Sequence, residues 1–326
     1  MPTITSVRPL RAVEGGRITI LGSELPVSNL STPRIGNVPA RVSFASTRRL
    51  VVNLPAELEN TGRLTLEIPG ALVETAYVSV GAPWATGLHQ VDNPVFDERG
   101  NLFVTYSGSR GQEAPVSVFK VTRSGAREPF ASGIVNATSL AFGPDRRLYV
   151  SSRFEGSVYR VNDDGTHEQV AGDLGVACGI AFDAEGWMYV GDRSGTVFRV
   201  RDGRAVPFAT VPASVAAFHL AMSAAQELFV TAPTLSAYDY VYRIDREGAV
   251  HTLRSSLGRP QGLAFAPDGG LYVVDALAGG SGVFRFSDVE ADPELVVSGA
   301  GLVGIAFGPG GEMVVTSNET AYRFEG

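Results

Sequence analysis

The chain has 326 residues, of which 44% are hydrophobic and 19% charged, and its formal net charge at pH 7 is −7. This composition is that of a globular protein, and the 38 glycines and 19 prolines are typical of an all-β chain with many turns. The acidic balance without a basic stripe argues against nucleic-acid binding, and the lack of any apolar run of about 18 residues argues against a membrane span.

The single cysteine, Cys178, cannot form a disulfide within the chain and fits a reducing compartment. Met1 is followed at once by strand-like sequence, without the charged segment and apolar core of a secretory signal. We therefore expect a cytoplasmic protein, or an extracellular one if the natural chain begins further upstream. We also expect a monomer.

Residues 1–81 read as a small β-sandwich. Short alternating runs separated by Gly and Pro predict strands, and about 80 residues is the size of such a fold. The segment contains Pro9, then Glu14-Gly-Gly16, Ile18-Thr-Ile20, Gly22 and Leu25. This pattern resembles the IPT/TIG immunoglobulin-like domains. The resemblance implies a spacer or interaction role, with no catalytic residues.

Residues 82–326 repeat one pattern of short strands. The predicted second strand of each repeat opens at Leu102, Leu148, Met188, Leu228, Leu271 and Met313, with successive spacings of 46, 40, 40, 43 and 42 residues. A period of about 40 to 45 residues with several strands per repeat is typical of β-propeller blades. The third strands support this register, because each places an aromatic residue beside a cation, as in Val158-Tyr-Arg-Val161.

The sixth repeat lacks a fourth strand, because the chain ends soon after Phe324. The segment Pro83–Leu88 copies the fourth strand at Pro129–Ile134 but precedes the first repeat. We therefore predict an all-β chain in which a small Ig-like sandwich is followed by a six-bladed propeller closed by its N-terminal strand. The short connection predicts that the sandwich lies against one blade edge.

The repeated Leu-Ala-Phe, acidic-turn, Gly, Leu-Tyr-Val and Val-Tyr-Arg-Val segments resemble the NHL-repeat and SMP-30/gluconolactonase-like six-bladed propellers. This resemblance implies the fold more than the activity, since such propellers include binding proteins, lactonases and lyases. The gluconolactonase-like enzymes hold a divalent cation with Glu, Asn and Asp at first-strand openings. The corresponding openings here carry Asp92, Thr138, Cys178, Phe218, Gln261 and Val303.

First strands of a propeller line its central channel, so their openings mark the channel mouth. We predict that a ligand contacts residues at these openings or in the Thr231–Tyr240 insertion: Asp92, Asn93, Thr138, Cys178, His219, Gln261, Tyr238 and Tyr240. His219 is either a general base or, as we favour, a histidine hydrogen-bonded to a neighbouring blade. The other histidines read as surface residues.

Three aspartates at the same predicted face, Asp92, Asp192 and Asp275, offer an alternative site for Ca²⁺ or Mg²⁺. The competing interpretation, which we favour, is that Asp192 and Asp275 cap their own loops. The sequence thus favours a non-catalytic recognition protein that binds a small molecule or peptide at the channel mouth. The alternative is a lactonase-like metal-dependent hydrolase, or a propeller lyase, with a rearranged site.

Overall fold

The computed structural model describes residues 2–25, 27, 32–56, 58, 60–69, 76–216, 218–277 and 280–324. Within these residues the regular elements are β-strands. Nowhere in this part of the chain is there a helix with the length and apolar composition needed to cross a membrane. The prediction of an all-β protein is confirmed at this level.

The N-terminal region is a sandwich of two sheets. Its strands are β1 (Thr3–Arg8), β2 (Arg11–Ala12), β3 (Arg17–Ser23), β4 (Arg34–Ile35), β5 (Val38–Pro39), β6 (Val42–Ala45), β7 (Arg49–Asn53), β8 (Gly62–Glu67) and β9 (Ala76–Val80). One sheet has the order β1-β3-β7-β6, and the other contains β2-β9-β8-β4-β5. Alternate residues of the strands, such as Ile18, Ile20 and Val52, are buried and pack against Leu66 and Val78 of the facing sheet.

The rest of the chain repeats an antiparallel four-stranded sheet, here called a unit. Unit 1 contains β11 (Val95–Phe96), β12 (Leu102–Thr105), β13 (Val118–Val121) and β14 (Arg127–Ala131); unit 2 contains β15 (Ala137–Phe142), β16 (Leu148–Ser152), β17 (Ser157–Val161) and β18 (His167–Ala171). Unit 3 contains β19 (Ala177–Phe182), β20 (Met188–Asp192), β21 (Thr196–Arg201) and β22 (Arg204–Thr210); unit 4 contains β23 (His219–Met222), β24 (Leu228–Thr231), β25 (Val241–Ile244) and β26 (Val250–Thr252).

Unit 5 is part of a larger sheet, and unit 6 includes a strand from far upstream in the chain. Unit 5 contains β27 (Pro260–Phe265), β28 (Leu271–Asp275), β29 (Gly282–Phe286) and β30 (Glu294–Ser298). Unit 6 contains β31 (Leu302–Phe307), β32 (Met313–Ser317), β33 (Thr320–Phe324) and, far upstream in the chain, β10 (Ala82–Thr86). Strand β10 runs antiparallel to β33, with Ala82 opposite Arg323 and Thr86 opposite Thr320.

The turn between the first two strands of a unit is set by its acidic residue and its glycine. In unit 3, Asp183 Oδ1 accepts hydrogen bonds from the backbone N–H groups of Glu185 (3.0 Å) and Trp187 (2.9 Å). Gly186 has a φ of 84°, in the left-handed region that favours glycine. Asp97 and Asp245 accept equivalent backbone hydrogen bonds in units 1 and 4. These local contacts fix where the second strand begins.

The units pack side by side around a common axis. The first strands contact one another in the order β11, β15, β19, β23, β27 and β31, and β31 contacts β11. Apolar clusters fill the spaces between successive units, and the one between units 6 and 1 joins Ala85 and Leu88 to Leu102 and Val104. The first strands therefore surround a central channel, and their openings lie close together.

The sandwich is attached to unit 5. Strand β2 pairs in parallel with β30, so that Arg11 lies opposite Val297 and Ala12 opposite Ser298. Val13 is buried with Val297 and Phe324 of units 5 and 6. The two regions share one nine-stranded sheet, which agrees with the short connection between them.

Candidate functional site

The openings of the first strands and the ends of the second strands lie on one face. Ala137 is paired with Ser152, Ala177 with Asp192, and Pro260 with Asp275, in each case the start of one strand with the end of the next. Residues that follow the second strands therefore lie at the channel mouth, beside the residues that open the first strands. This places the predicted site residues of different units near one another.

A cavity of about 270 Å³ opens at this mouth. Its lining residues come from several units: Gln90, Val91, Thr138, Arg153, Cys178, Arg193, Ala216, Gln261, Val303 and Asn318. The structure thus brings together three of the predicted ligand contacts, Thr138, Cys178 and Gln261. The other five lie outside this lining.

Asp92 and His219 form a buried pair between units 1 and 4. Asp92 Oδ1 lies 2.5 Å from His219 Nδ1, and the two residues are 2% and 0% exposed. The backbone N–H of Asn93 also donates to Asp92 Oδ1, at 2.7 Å. His219 Nε2 is buried and has no hydrogen-bond partner within the described residues. Because unit 4 stands three units from unit 1, this contact ties together distant parts of the ring of first strands.

The side chain of Asn93 forms hydrogen bonds within the fold. Its Nδ2 donates to the carbonyl of Leu263 (2.9 Å) in unit 5, and its Oδ1 accepts from the N–H of Ile305 (3.0 Å) in unit 6. Both ends of the amide are therefore used within the protein. Contact of Asn93 with a ligand therefore stays a prediction, and these two hydrogen bonds do not favour it.

Two arginines line the cavity, and neither has a carboxylate partner among the described residues. Arg193 Nη2 donates to the carbonyl of Val215 (2.9 Å), whereas Nε is buried without a partner in the described chain. For Arg153, the described residues provide neither a hydrogen bond nor an ion pair. Burial is the main cause that lowers the pKa of the Arg153 guanidinium, and the charges of Arg193 and Arg110 lower it further. The mouth therefore holds closely spaced positive charges.

Burial beside the mouth shifts the pKa of both Cys178 and His89. Burial, assisted by the charge of Asp92, raises the pKa of the Cys178 thiol to about 12, so the thiol stays protonated near neutral pH. His89 is half-buried and packs edge-on against Tyr106, with ring centroids 5.9 Å apart. Burial and then the charge of Arg153 lower the pKa of His89. The expectation that His89 is a surface residue is corrected: it lies beside the mouth.

The three aspartates proposed as a cation site are not gathered. Asp192 Oδ1 accepts from the N–H of Val176 (2.8 Å), and its Oδ2 accepts from the Ser194 hydroxyl. Asp275 accepts backbone hydrogen bonds from Gly258 and Arg259, at 2.9 Å and 2.6 Å. In the described parts of the chain, no group of three or more His, Cys, Asp or Glu side chains is arranged to hold a metal ion. Asp192 and Asp275 cap loops, and the residues at the mouth do not fit a divalent cation.

Tyr238 and Tyr240 lie outside the cavity lining, in the loop before β25. Tyr238 is 63% exposed, and neighbouring Leu235 is 90% exposed. The loop is held by Asp239, which accepts from both the N–H and the hydroxyl of Thr234, at 3.0 Å and 2.7 Å. These tyrosines stand above the mouth face without reaching into the cavity.

A second, larger cavity of about 630 Å³ lies between units 1 and 2, at the turns that join first and second strands. Four of its charged groups form ion pairs with one another, Arg146 with Glu98 at 3.3 Å and Arg147 with Asp163 at 2.8 Å, whereas Arg99 and Lys120 line it without an ion pair in the described chain. The mouth differs from this cavity because residues of all six units meet there at the central channel, whereas this cavity is lined by two neighbouring units. We therefore regard the mouth as the candidate site despite its smaller volume.

Sequence reasoning missed Arg153 and Arg193. Both directly follow the ends of second strands, Ser152 and Asp192, which the repeat register had already placed at the mouth face. Extending that register by one residue would have found them. Asn318 of unit 6 occupies the same position, one residue past Ser317.

The sandwich matches a known family: the model of the IPT/TIG domain covers residues 2–80. The N-terminal region is therefore an IPT/TIG domain. No curated protein sequence matches the chain significantly.

Solved structures resemble the whole chain or its larger part. An auxiliary nutrient binding protein from Bacteroides thetaiotaomicron is 11% identical with a TM-score of 0.59, over 99% of this chain and 97% of that one. A gluconolactonase from Xanthomonas campestris is 15% identical with a TM-score of 0.61, over 90% and 97% of the two chains. Virginiamycin B lyase from Staphylococcus aureus is 12% identical with a TM-score of 0.53, over 72% and 84%. At these identities the similarity shows the fold alone, and it supports a β-propeller after the IPT/TIG domain.

Proposed function

We propose that this chain is a non-catalytic recognition protein that binds a small molecule or peptide at the mouth of a six-bladed propeller. In this proposal units 1 to 6 are the blades, β10 closes the ring against β33, and the domains are 1–81 and 82–326. The observation that carries it is the cavity at the mouth, whose lining includes polar side chains without a partner in the part of the chain that the structure describes. Concave sites with a few convergent polar groups are typical of ligand binding.

Two further observations support recognition over catalysis. The Cys178 thiol stays protonated near neutral pH, since its pKa is raised to about 12, and is therefore no nucleophile. The donor set at the first-strand openings does not fit a divalent cation, because its one carboxylate, Asp92, is bonded to His219. The nutrient binding protein from Bacteroides thetaiotaomicron spans the same two regions, which is compatible with a binding role.

A fragment screen followed by ligand-observed NMR tests this function. Ala216→Trp and Val303→Trp place an indole in the cavity from units 4 and 6. We expect fragments that bind the wild-type protein to be lost in both variants and retained in Ala126→Trp, a control at an exposed turn of unit 1. The bound compounds should remain chemically unchanged during long incubation. Fragments that bind all three variants equally would contradict a site at the mouth.

The buried pair favours a second candidate, a lyase or hydrolase. A histidine held at Nδ1 by a carboxylate, with Nε2 unpartnered, has the arrangement of a general base. An assay of lactone opening and of eliminative cleavage of cyclic esters, with and without Mg²⁺, tests this alternative. Turnover that disappears in His219→Ala, in a variant shown by circular dichroism to be folded, would place catalysis ahead of recognition.

A further inference from the structure

The cavity at the mouth has an excess of hydrogen-bond donors. Arg153 and Arg193 carry guanidinium groups, which only donate, and within the described residues neither pairs with a carboxylate. The amide of Gln261 also lines the cavity, and no other described side chain or backbone group hydrogen-bonds to it. A ligand that satisfies these groups has to supply acceptors.

The sign of the charge at the mouth is opposite to that of the whole chain. The protein has a net charge of −7, yet Arg110 and Arg193 are close enough to Arg153 to affect its protonation. The nearby acids Asp92 and Asp192 form no ion pair with these arginines in the described chain: Asp92 is bonded to His219, and Asp192 accepts hydrogen bonds from Val176 and Ser194. Glu319 acts on His89 at the edge of the mouth. Among the described residues, the cavity thus holds two guanidinium groups that form no ion pair.

Exposed apolar side chains stand around this positive cavity. We call them the rim: Phe154, Val215, Leu235, Tyr238 and Leu277, which are 55%, 39%, 90%, 63% and 43% exposed. Phe154 directly follows Arg153, and Val215 directly precedes Ala216, so these two adjoin cavity-lining residues. The other three follow the second strands of units 4 and 5, on the same face. Clusters of exposed apolar residues beside a cleft are typical of binding surfaces.

From this combination we infer that the mouth binds a small organic acid with an apolar portion. Its carboxylate pairs with Arg153 and Arg193, and its apolar portion contacts the rim. The inference rests on the proposed recognition function and names the ligand class. The cavity, at about 270 Å³, is at the lower end of ligand-site volumes, so it accommodates the acidic group while the remainder lies over the rim. Arginine suits this role because its planar guanidinium can bind a carboxylate through two hydrogen bonds.

Matched acid and amide pairs test the inference by isothermal titration calorimetry with the full-length chain. The probes are hexanoate with hexanamide, and phenylacetate with phenylacetamide. We expect each acid to bind at least about tenfold more tightly than its amide, the factor that charge-assisted hydrogen bonds produce. An N-acetylated tripeptide with a free or an amidated C-terminus shows whether the carboxylate comes from a peptide instead of a free acid.

Charge-removing variants show which arginines cause the preference for the acid over the amide. Arg153→Gln should abolish the preference for the acid, and Arg193→Gln should do the same after its folding has been checked by circular dichroism, because Arg193 also supports Val215. Arg153→Lys should retain part of the preference, since it keeps the charge and loses the planar group. Arg204→Gln, on the exposed outer strand of unit 3, removes the same charge and should leave the preference intact.

The outcomes separate the inference from the proposed function. Equal binding of acid and amide by the wild-type protein, no acid binding at millimolar concentration, or a preference that survives Arg153→Gln overturns the anion inference. If neutral fragments bind the wild-type protein and lose that binding in Ala216→Trp, the recognition function stands even though the anion inference fails. If the binding of acids and of neutral fragments is unchanged in Ala216→Trp and Val303→Trp, the anion inference and the recognition function both fail.

Discussion

At the scale of single residues, the mouth combines groups that are fully used with groups that are not. The side chains of Asp92, Asn93 and Gln90 form hydrogen bonds within the protein. Gln90, for example, donates to the carbonyl of Asp92 (2.7 Å) and accepts from the N–H of Thr105 (2.8 Å). The side chains of Arg153 and Gln261 line the cavity and have no such partners among the described residues. The first set holds the ring of first strands together, and the second set is available to a ligand.

The pair of Asp92 and His219 predicts energetic coupling. Removing either side chain leaves a buried polar partner unsatisfied, so Asp92→Ala and His219→Ala should each lower the free energy of unfolding by about 3 kcal/mol. The double variant should lose clearly less than the two single losses together. Urea unfolding measures all three. The exposed pair of Asp245 and His251, 3.1 Å apart, is the matched control and should show a much smaller coupling, because solvent screens it. Additive losses at Asp92 and His219 would contradict a coupled pair.

The thiol of Cys178 predicts a lack of reactivity. Since burial raises its pKa to about 12, the native thiol should resist iodoacetamide at pH 8, and it should react once the protein is unfolded in urea. The sign of the pH dependence follows: above the ordinary thiol pKa the unfolded chain loses the proton that the folded chain retains, so this group reduces stability as pH rises. Mass spectrometry of the alkylated protein checks the first point. Rapid alkylation of folded protein would show that the thiol is accessible as an anion.

At the scale of elements, the sequence predicted strands well where local chemistry fixes them. The glycine that ends each acidic turn and the repeated Val-Tyr-Arg-Val segments lie in the structure at their predicted positions, because short-range hydrogen bonds define them. Strand β2 was not predicted, since two residues carry no periodicity and their pairing with β30 depends on distant chain. The partner of His219 could not be predicted either, because the contact crosses the channel to Asp92.

Truncation tests the role of β10. Deleting residues 2–80 removes the sandwich, including Val13 and the edge pairing with β30, and should lower the melting temperature while leaving one cooperative transition. Deleting residues 2–90 also removes β10, Ala85 and Leu88, which opens the sheet of unit 6 and exposes its edge. We expect that longer deletion to abolish cooperative unfolding, as followed by circular dichroism. Similar melting temperatures for both deletions would contradict closure by β10.

At the scale of the whole molecule, the sandwich and the units should behave as one body. They share a nine-stranded sheet, and Val13 is buried between units 5 and 6. Small-angle scattering should therefore give a single compact distribution of distances that is unchanged by moderate salt. A broad, extended distribution would show that the pairing of β2 with β30 does not persist in solution. Val13→Asp, which places a charge in this buried contact, is the variant expected to produce that broad distribution.

The channel mouth is the recognition site that we propose for this molecule. A crystallographic soak with a library containing acidic and neutral fragments can show whether ligands bind there. We expect fragments to occupy the cavity between Arg153, Arg193 and Gln261, acidic fragments to be enriched there, and their carboxylates to contact the two guanidinium groups. An empty mouth, with fragments gathered instead in the larger cavity between units 1 and 2, would contradict this proposal.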